Sequence, residues 1–303
     1  MSLESLKQSL RGSLVALVTP MSPDGAVDYP AFERLIEHHI AAGTDGLVIA
    51  GTTGESATLS KPEHIDLVRR AVEIVKQRVP VIAGTGSNST AQTIALSQAI
   101  DTFAVDAYLI VTPYYNKPTQ EGLYQHYMAI ADAVKKPVML YNVPGRTAVD
   151  LLPATVARLA VHGNIFAIKE ATGDVSRVAE IQQGCGKDFL QFSGDDATAR
   201  EYMLLGGHGV ISVTTNVAPK QMQAMCAAAL AGDADKAAEL DAPLSSLHRD
   251  LFVESNPIPV KWAVAKQGLC DGTLRLPLTQ LSAVNQPAVE AALTKASALE
   301  GST

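Results

Sequence analysis

The chain has 303 residues, of which 47 % are hydrophobic, with a formal net charge of −7 and three cysteines. That much apolar sequence buries one or two large cores, and acidic and basic residues are interspersed, which argues against a nucleic-acid-binding surface. Cys185, Cys226 and Cys270 are odd in number and far apart, so they read as reduced thiols rather than as a disulfide framework or a metal site. Residues 1–10 lack the apolar core of a signal peptide and no apolar run approaches membrane-spanning length, so the expectation is a soluble cytoplasmic protein with no membrane partner.

In chain order, residues 14–18 predict a strand stopped by Thr19-Pro20. Residues 31–42 have helical spacing and stop at Gly43. A strand over 46–50 precedes a helix over 61–77, with Ser60 as N-cap and Pro62 in the first turn. Strands at 81–83, 107–111, 137–141, 165–169, 189–192 and 209–213 alternate with helices at 90–103, 120–134, 153–161, from Asp174, at 195–205 and at 219–231. Eight such units, recurring roughly every 20–35 residues, fit a closed (β/α)8 barrel better than an open doubly wound sheet. Gly84-Thr-Gly86 lacks the third glycine of a dinucleotide fingerprint and follows the third strand, not the first. After Gly232 the alternation stops: residues 233–249, 259–267 and 284–299 read as helices with no strand between. The expected organisation is a catalytic barrel over 1–232 and a helical C-terminal domain over 233–303.

The chemistry of such a barrel sits where strands end and βα loops begin. Strand 165–169 ends in Lys169-Glu170. An ammonium group is costly to bury, so this lysine is either a desolvated nucleophile of lowered pKa, aimed at a carbonyl, or a strand-end lysine reaching back to water. The other strand ends carry Gly51-Thr-Thr-Gly-Glu55, Thr112-Pro-Tyr-Tyr-Asn116, Tyr141-Asn-Val-Pro-Gly-Arg146 and Ser193-Gly-Asp-Asp196. Singly, these are ordinary turns, rim tyrosines and a loop arginine. No pair of the seven histidines has metal-ligand spacing and Gly-x-Ser-x-Gly is absent, so neither a metal nor a serine hydrolase is inferred. Together, a strand-end lysine, hydroxyls at two further ends and an arginine at another fit Schiff-base chemistry on a keto acid.

Gly51-Thr-Thr-Gly-Glu55, Thr112-Pro-Tyr-Tyr-Asn-Lys-Pro118, Tyr141-Asn-Val-Pro-Gly-Arg-Thr147 and Ile168-Lys-Glu-Ala-Thr-Gly173 resemble, in order and spacing, the signature set of the dihydrodipicolinate synthase family. These are pyruvate-dependent class I aldolases related to N-acetylneuraminate lyase, and the likeness runs from about Gly12 to Val217. The resemblance implies condensation of pyruvate with aspartate semialdehyde to 4-hydroxy-tetrahydrodipicolinate, on the route to lysine and diaminopimelate. It implies no cofactor and no metal. Lys169 would form the imine, Tyr141 would relay protons, and Thr52 would link Tyr141 to Tyr115, the last reaching in from a neighbouring subunit. Thr53 would bind the pyruvate carboxylate, Arg146 the carboxylate of the aldehyde, and Gly194 and Ile211 would line the site through backbone atoms. A homotetramer of tight dimers is implied. Lysine inhibits some members at a dimer-interface site, which here corresponds to Ser56, Ala57, Lys61, His64, Asn88, Gln92 and Tyr114; Lys61 and Gln92 depart from the sensitive pattern. The alternatives are a related sugar-acid lyase or keto-deoxy-sugar-acid dehydratase, which share the lysine and tyrosine, and a non-catalytic metabolite-binding barrel. Arg146 argues against the lyase, and the Lys169, Tyr141 and Thr52 set argues against the last.

Overall fold

The computed structural model describes residues 2–297. Strands β1 (Gly12–Ala16), β2 (Gly46–Ile49), β3 (Val81–Gly84), β4 (Ala107–Val111), β5 (Val138–Asn142), β6 (Ile165–Glu170), β7 (Leu190–Ser193) and β8 (Gly209–Ser212) close into one parallel barrel in chain order. β8 pairs back onto β1, Leu14 lying opposite Ile211. Helix α1 (Leu3–Ser9) precedes the barrel. The crossovers are α2 (Tyr29–Ala41), α3 (Lys61–Val75), α4 (Thr90–Ile100), α5 (Gln120–Ala133), the short α6 (Pro144–Thr147) with α7 (Pro153–Leu159), α8 (Arg177–Cys185), α9 (Ala199–Leu204) and α10 (Pro219–Leu230). Four helices follow: α11 (Ala234–Asp241), α12 (Ser245–Asp250), α13 (Ile258–Lys266) and α14 (Gln286–Ser297). The fold is the (β/α)8 barrel that the alternation predicts.

Two apolar layers hold it. Inside the strands, Leu14, Val48, Ile82, Leu109, Met139, Phe192 and Ile211 form one cluster. Leu6 of α1 and Leu10 join that cluster and close the barrel floor where the strands begin. Outside the strands, a second cluster packs the helices on the barrel, and it runs without a break into Ala237, Leu247, Val260, Trp262 and Val264 of the C-terminal helices.

The departures from the sequence reading have local causes. α1 is seven residues long with one buried side chain, too little to register as a periodic pattern. The helix expected over 233–249 is two helices, because Pro243 offers no N–H and its ring cannot follow the preceding turn. The helix expected from Asp174 begins at Arg177, since the Asp174 carboxylate accepts from Ser176 N at 3.0 Å and Ser176 Oγ at 2.6 Å in a local turn. The segment 195–205 opens with a 3-10 turn, Asp196–Thr198, before α9. Residues 298 and 299 of the expected last helix lie outside the described residues. Ser60 caps α3 as predicted, in a capping box with Glu63. Among the described residues no helix is long and apolar enough to cross a membrane.

Candidate active site

The site is built at the C-terminal ends of β5 and β6. The two strands pair with Tyr141 opposite Lys169 and Asn142 opposite Glu170. Alternation along each strand sends the first pair into the barrel and the second outward. Inside, Lys169 Nζ lies 4.5 Å from the centroid of the Tyr141 ring, and the two side chains are 6 % and 7 % exposed as residues. Lys169 is thus among the most buried lysines of the chain, with its amine against a phenol and not against a carboxylate. Outside, Asn142 Nδ2 donates to Asp150 Oδ1 at 2.8 Å and to Glu170 Oε2 at 3.1 Å, while Arg177 pairs with Asp150 at 2.5 Å and reaches Glu170 at 3.4 Å. Burial pushes the Glu170 carboxyl above its ordinary value, and the hydrogen bonds from Asn142 and Thr172 oppose that shift. This polar cluster ties the strand ends together and so fixes the Lys169–Tyr141 pair.

Gly194, just after β7, is the third wall. Its N–H donates to Glu170 O at 2.7 Å, and a methyl group placed on it would stand 2.8 Å from Lys169 Cε and 2.6 Å from Ala171 Cβ. Only glycine leaves the lysine stem room there. Ile211 lies buried in the inner apolar cluster beside it in the barrel.

The loop after β2 is held in an unusual form. Ala50 and Glu55, at its two ends, have φ of +54° and +56°, a left-handed conformation that side chains with a Cβ seldom adopt. Thr19 Oγ1 donates to Gly54 O at 2.7 Å. Lys261 Nζ of α13 pairs with Glu55 Oε1 at 2.5 Å, both side chains fully buried, and Arg275 N donates to Glu55 Oε2 at 3.1 Å. Burial pulls the Lys261 ammonium below its ordinary pKa, and the Glu55 charge partly offsets it. The loop therefore presents Thr53, 3 % exposed, whose Oγ1 accepts from Asn256 Nδ2 at 3.0 Å. Arg146, exposed at the end of α6, donates through Nη2 to Asn256 O at 3.2 Å.

A cavity of about 750 Å³ opens above these groups. Thr52, Arg146 and Asn256 line one part of it; Ser56, Ala57, Lys61, His64, Gln92 and Tyr114 line another. Thr52 and Arg146 of the catalytic set therefore share one continuous space with six of the seven residues of the candidate lysine site. Lys169 and Tyr141 are not in its lining; they sit deeper, in the barrel interior. His64 is buried, its Nε2 is 2.7 Å from Gly84 O, and burial lowers its pKa. Asn88 lies outside the lining but donates to Tyr114 O at 3.2 Å. Tyr115 stands apart: it is 88 % exposed with φ +74°, turned to solvent in the single chain. Sequence reasoning missed Asn256, Lys261 and the Glu170 cluster. Asn256-Pro257 reads locally as a turn, and nothing nearby in the chain announces its partner Thr53. Among the described residues no group of three or more His, Cys, Asp or Glu is placed to hold a metal ion.

Residues 9–296 match the model of the dihydrodipicolinate synthetase family. The 4-hydroxy-tetrahydrodipicolinate synthase of Alcanivorax borkumensis is 56 % identical over 291 residues, 96 % of this chain and 99 % of that protein. Among solved structures, the chloride-inhibited dihydrodipicolinate synthase of Acinetobacter baumannii, complexed with pyruvate, superposes with a TM-score of 0.93 at 52 % identity, covering 95 % of this chain and 99 % of the other. The enzyme of Cyanidioschyzon merolae with lysine bound gives a TM-score of 0.91 at 39 % identity over 94 % of this chain and 98 % of the other.

Proposed function

The chain belongs to the dihydrodipicolinate synthetase family, and we propose that Lys169 is the nucleophile with which it condenses pyruvate and aspartate semialdehyde. The observation that carries this is the register of β5 and β6, which sets Lys169 Nζ 4.5 Å from the Tyr141 ring in a nearly closed interior. Nζ attacks the keto carbon of pyruvate and water leaves, giving the imine. Tyr141 carries the protons of that step and of the loss of a methyl proton that forms the enamine. The Thr53 hydroxyl, its oxygen already accepting from Asn256, donates to the pyruvate carboxylate. The enamine carbon attacks the aldehyde while Arg146 holds the carboxylate of the second substrate. The α-amine then closes on the former keto carbon and displaces Lys169, leaving 4-hydroxy-tetrahydrodipicolinate. Gly194 and Ile211 line the site through backbone atoms.

Tyr115, exposed and held by a strained backbone, is suited to complete the Tyr141–Thr52 relay of a neighbouring copy, which supports reading the protein as a dimer of dimers. A cytoplasmic location suits a route that starts from pyruvate. We read 1–232 as the catalytic barrel and 233–303, of which 298–303 lie outside the described residues, as a helical unit joined to it, supported by the end of the β/α alternation at α10. Ser56, Ala57, Lys61, His64, Asn88, Gln92 and Tyr114 form the candidate lysine site; the lysine-bound Cyanidioschyzon relative and the shared cavity support it.

The test is borohydride reduction in the presence of pyruvate, with peptide mass spectrometry and an aspartate semialdehyde assay. Lys169 should carry the label, and Lys169→Arg, whose guanidinium stays protonated, should form no adduct. Labelling at another lysine would sink the assignment.

A further inference from the structure

The loop between α12 and α13 sets one residue against both groups assigned to bind carboxylates. Asn256 is 6 % exposed and lines the cavity. Its Nδ2 donates to Thr53 Oγ1 at 3.0 Å and its main-chain carbonyl accepts from Arg146 Nη2 at 3.2 Å. Its Oδ1 is buried with no hydrogen-bond partner among the described residues. A buried acceptor left unpaired is costly, so its persistence calls for a reason.

Aspartate semialdehyde supplies one. It carries a carboxylate and an ammonium group on the same carbon. With the carboxylate on Arg146, the ammonium needs an acceptor close by. Glu55, the acidic side chain of the lining, is already taken by Lys261 and by Arg275 N. Asn256 Oδ1 is unclaimed and belongs to the residue whose carbonyl holds Arg146. A neutral amide also suits the chemistry: this nitrogen must shed a proton to close the ring, and a carboxylate beside it would hold the proton on.

We propose that Asn256 binds the α-ammonium group of the aldehyde substrate through Oδ1 and positions Thr53 through Nδ2; the assignment rests on the reading that Arg146 takes the α-carboxylate. The probes are aspartate semialdehyde and 4-oxobutanoate, the same aldehyde acid without the ammonium group. Asn256→Ala deletes both side-chain contacts but keeps the main-chain carbonyl on Arg146. It should lower kcat/KM for aspartate semialdehyde about 10- to 100-fold, the loss of one charge-assisted hydrogen bond. The inhibition constant of 4-oxobutanoate should move less than about threefold. Asn256→Asp keeps an acceptor and loses the donor, so it should still bind the amino substrate in preference to 4-oxobutanoate, with a lower kcat because the new carboxylate holds the ammonium proton, while the KM for pyruvate rises several-fold.

Equal losses for the two aldehydes in Asn256→Ala would overturn the ammonium assignment. An unchanged pyruvate KM in Asn256→Asp would overturn the link to Thr53. Two controls separate these outcomes from failure of the underlying reading. The natural chain must form the pyruvate imine at Lys169, and Arg146→Ala must weaken 4-oxobutanoate; failure of either strikes the reading of the site rather than Asn256.

Discussion

Gly194→Ala is the most direct perturbation of the amine without touching the amine itself. The added methyl would lie 2.8 Å from Lys169 Cε, 3.1 Å from Lys169 Cγ and 2.6 Å from Ala171 Cβ. Carbon atoms in ordinary contact stand ~3.5–4.0 Å apart, so the lysine stem must move by about 1 Å. Ala171 cannot relieve the crowding by rotating, and the Gly194 N–H to Glu170 O hydrogen bond keeps the two strand ends from separating. Overpacking of this kind costs about 1–3 kcal/mol of stability. Displacing a reacting group by about 1 Å costs about 100-fold in rate, or about 2.7 kcal/mol of barrier. The assay is the rate of borohydride-trapped adduct at Lys169 with saturating pyruvate, run beside a thermal melt. Gly163→Ala is the control, since a methyl there meets nothing within 4 Å. Gly194→Ala should trap about 100-fold more slowly while the control keeps the natural rate. Trapping within about threefold of natural, in a folded variant, would show that this wall does not set the position of the amine.

Three further outcomes follow from the site. Arg146→Ala should leave imine formation with pyruvate intact and lower kcat/KM for aspartate semialdehyde about 10- to 150-fold, the worth of roughly 1.5–3 kcal/mol for a bidentate arginine–carboxylate contact; an unchanged value removes its role. Mixed oligomers of Tyr115→Phe and Lys169→Ala chains should regain activity that neither parent has, because one site in the hybrid holds both groups; verified hybrids that stay inactive count against a shared site. Lysine should inhibit the natural chain weakly, because Gln92, whose Oε1 accepts from Ser87 Oγ at 3.2 Å, offers the ligand's ammonium no charge, and Lys61 brings a like charge nearby. Gln92→Glu with Lys61→His should tighten inhibition about 5- to 30-fold, roughly 1–2 kcal/mol; strong inhibition of the natural chain with no gain in the double variant refutes this.

What was legible in the sequence is what the chain encodes locally. Strand 165–169 is legible because four apolar residues, Ile165 to Ile168, lie between turn signals and run into a lysine, and β6 runs Ile165–Glu170. Lys169 stood out because a charge ended that run. The sequence sets the first strand late, at 14–18, since Thr19-Pro20 marks the end of extended chain, whereas the ladder proper is Gly12–Ala16 and Leu17 N continues it, to Val48 O. The pairs that tune the site are invisible to such reasoning. Asn256 and Thr53 are 203 positions apart, and Lys261 and Glu55 are 206 apart. Lys261 sits in an apolar helix, Ile258–Lys266, where a lysine between apolar neighbours reads as a solvent-facing charge; the structure buries it completely.

That buried pair ties the helices after residue 232 to the loop that borders the site. A buried ion pair is weak evidence for stability, since desolvating both charges cancels much of their attraction, but removing one partner is severe, about 3–5 kcal/mol. Its value lies in geometry. Glu55 ends the β2 loop in a left-handed conformation that its own backbone disfavours, and such conformations persist only where the surroundings over-determine them. Lys261 Nζ and Arg275 N each fix one carboxylate oxygen of Glu55, Arg275 also donates to Thr58 O at 2.8 Å, and Asn256 holds Thr53 within the same loop. Three residues of the C-terminal segment thus grip a loop that begins on the second strand of the barrel. The barrel supplies Lys169 on β6, but the groups assigned to the substrate carboxylates take their position from chain that the barrel does not contain.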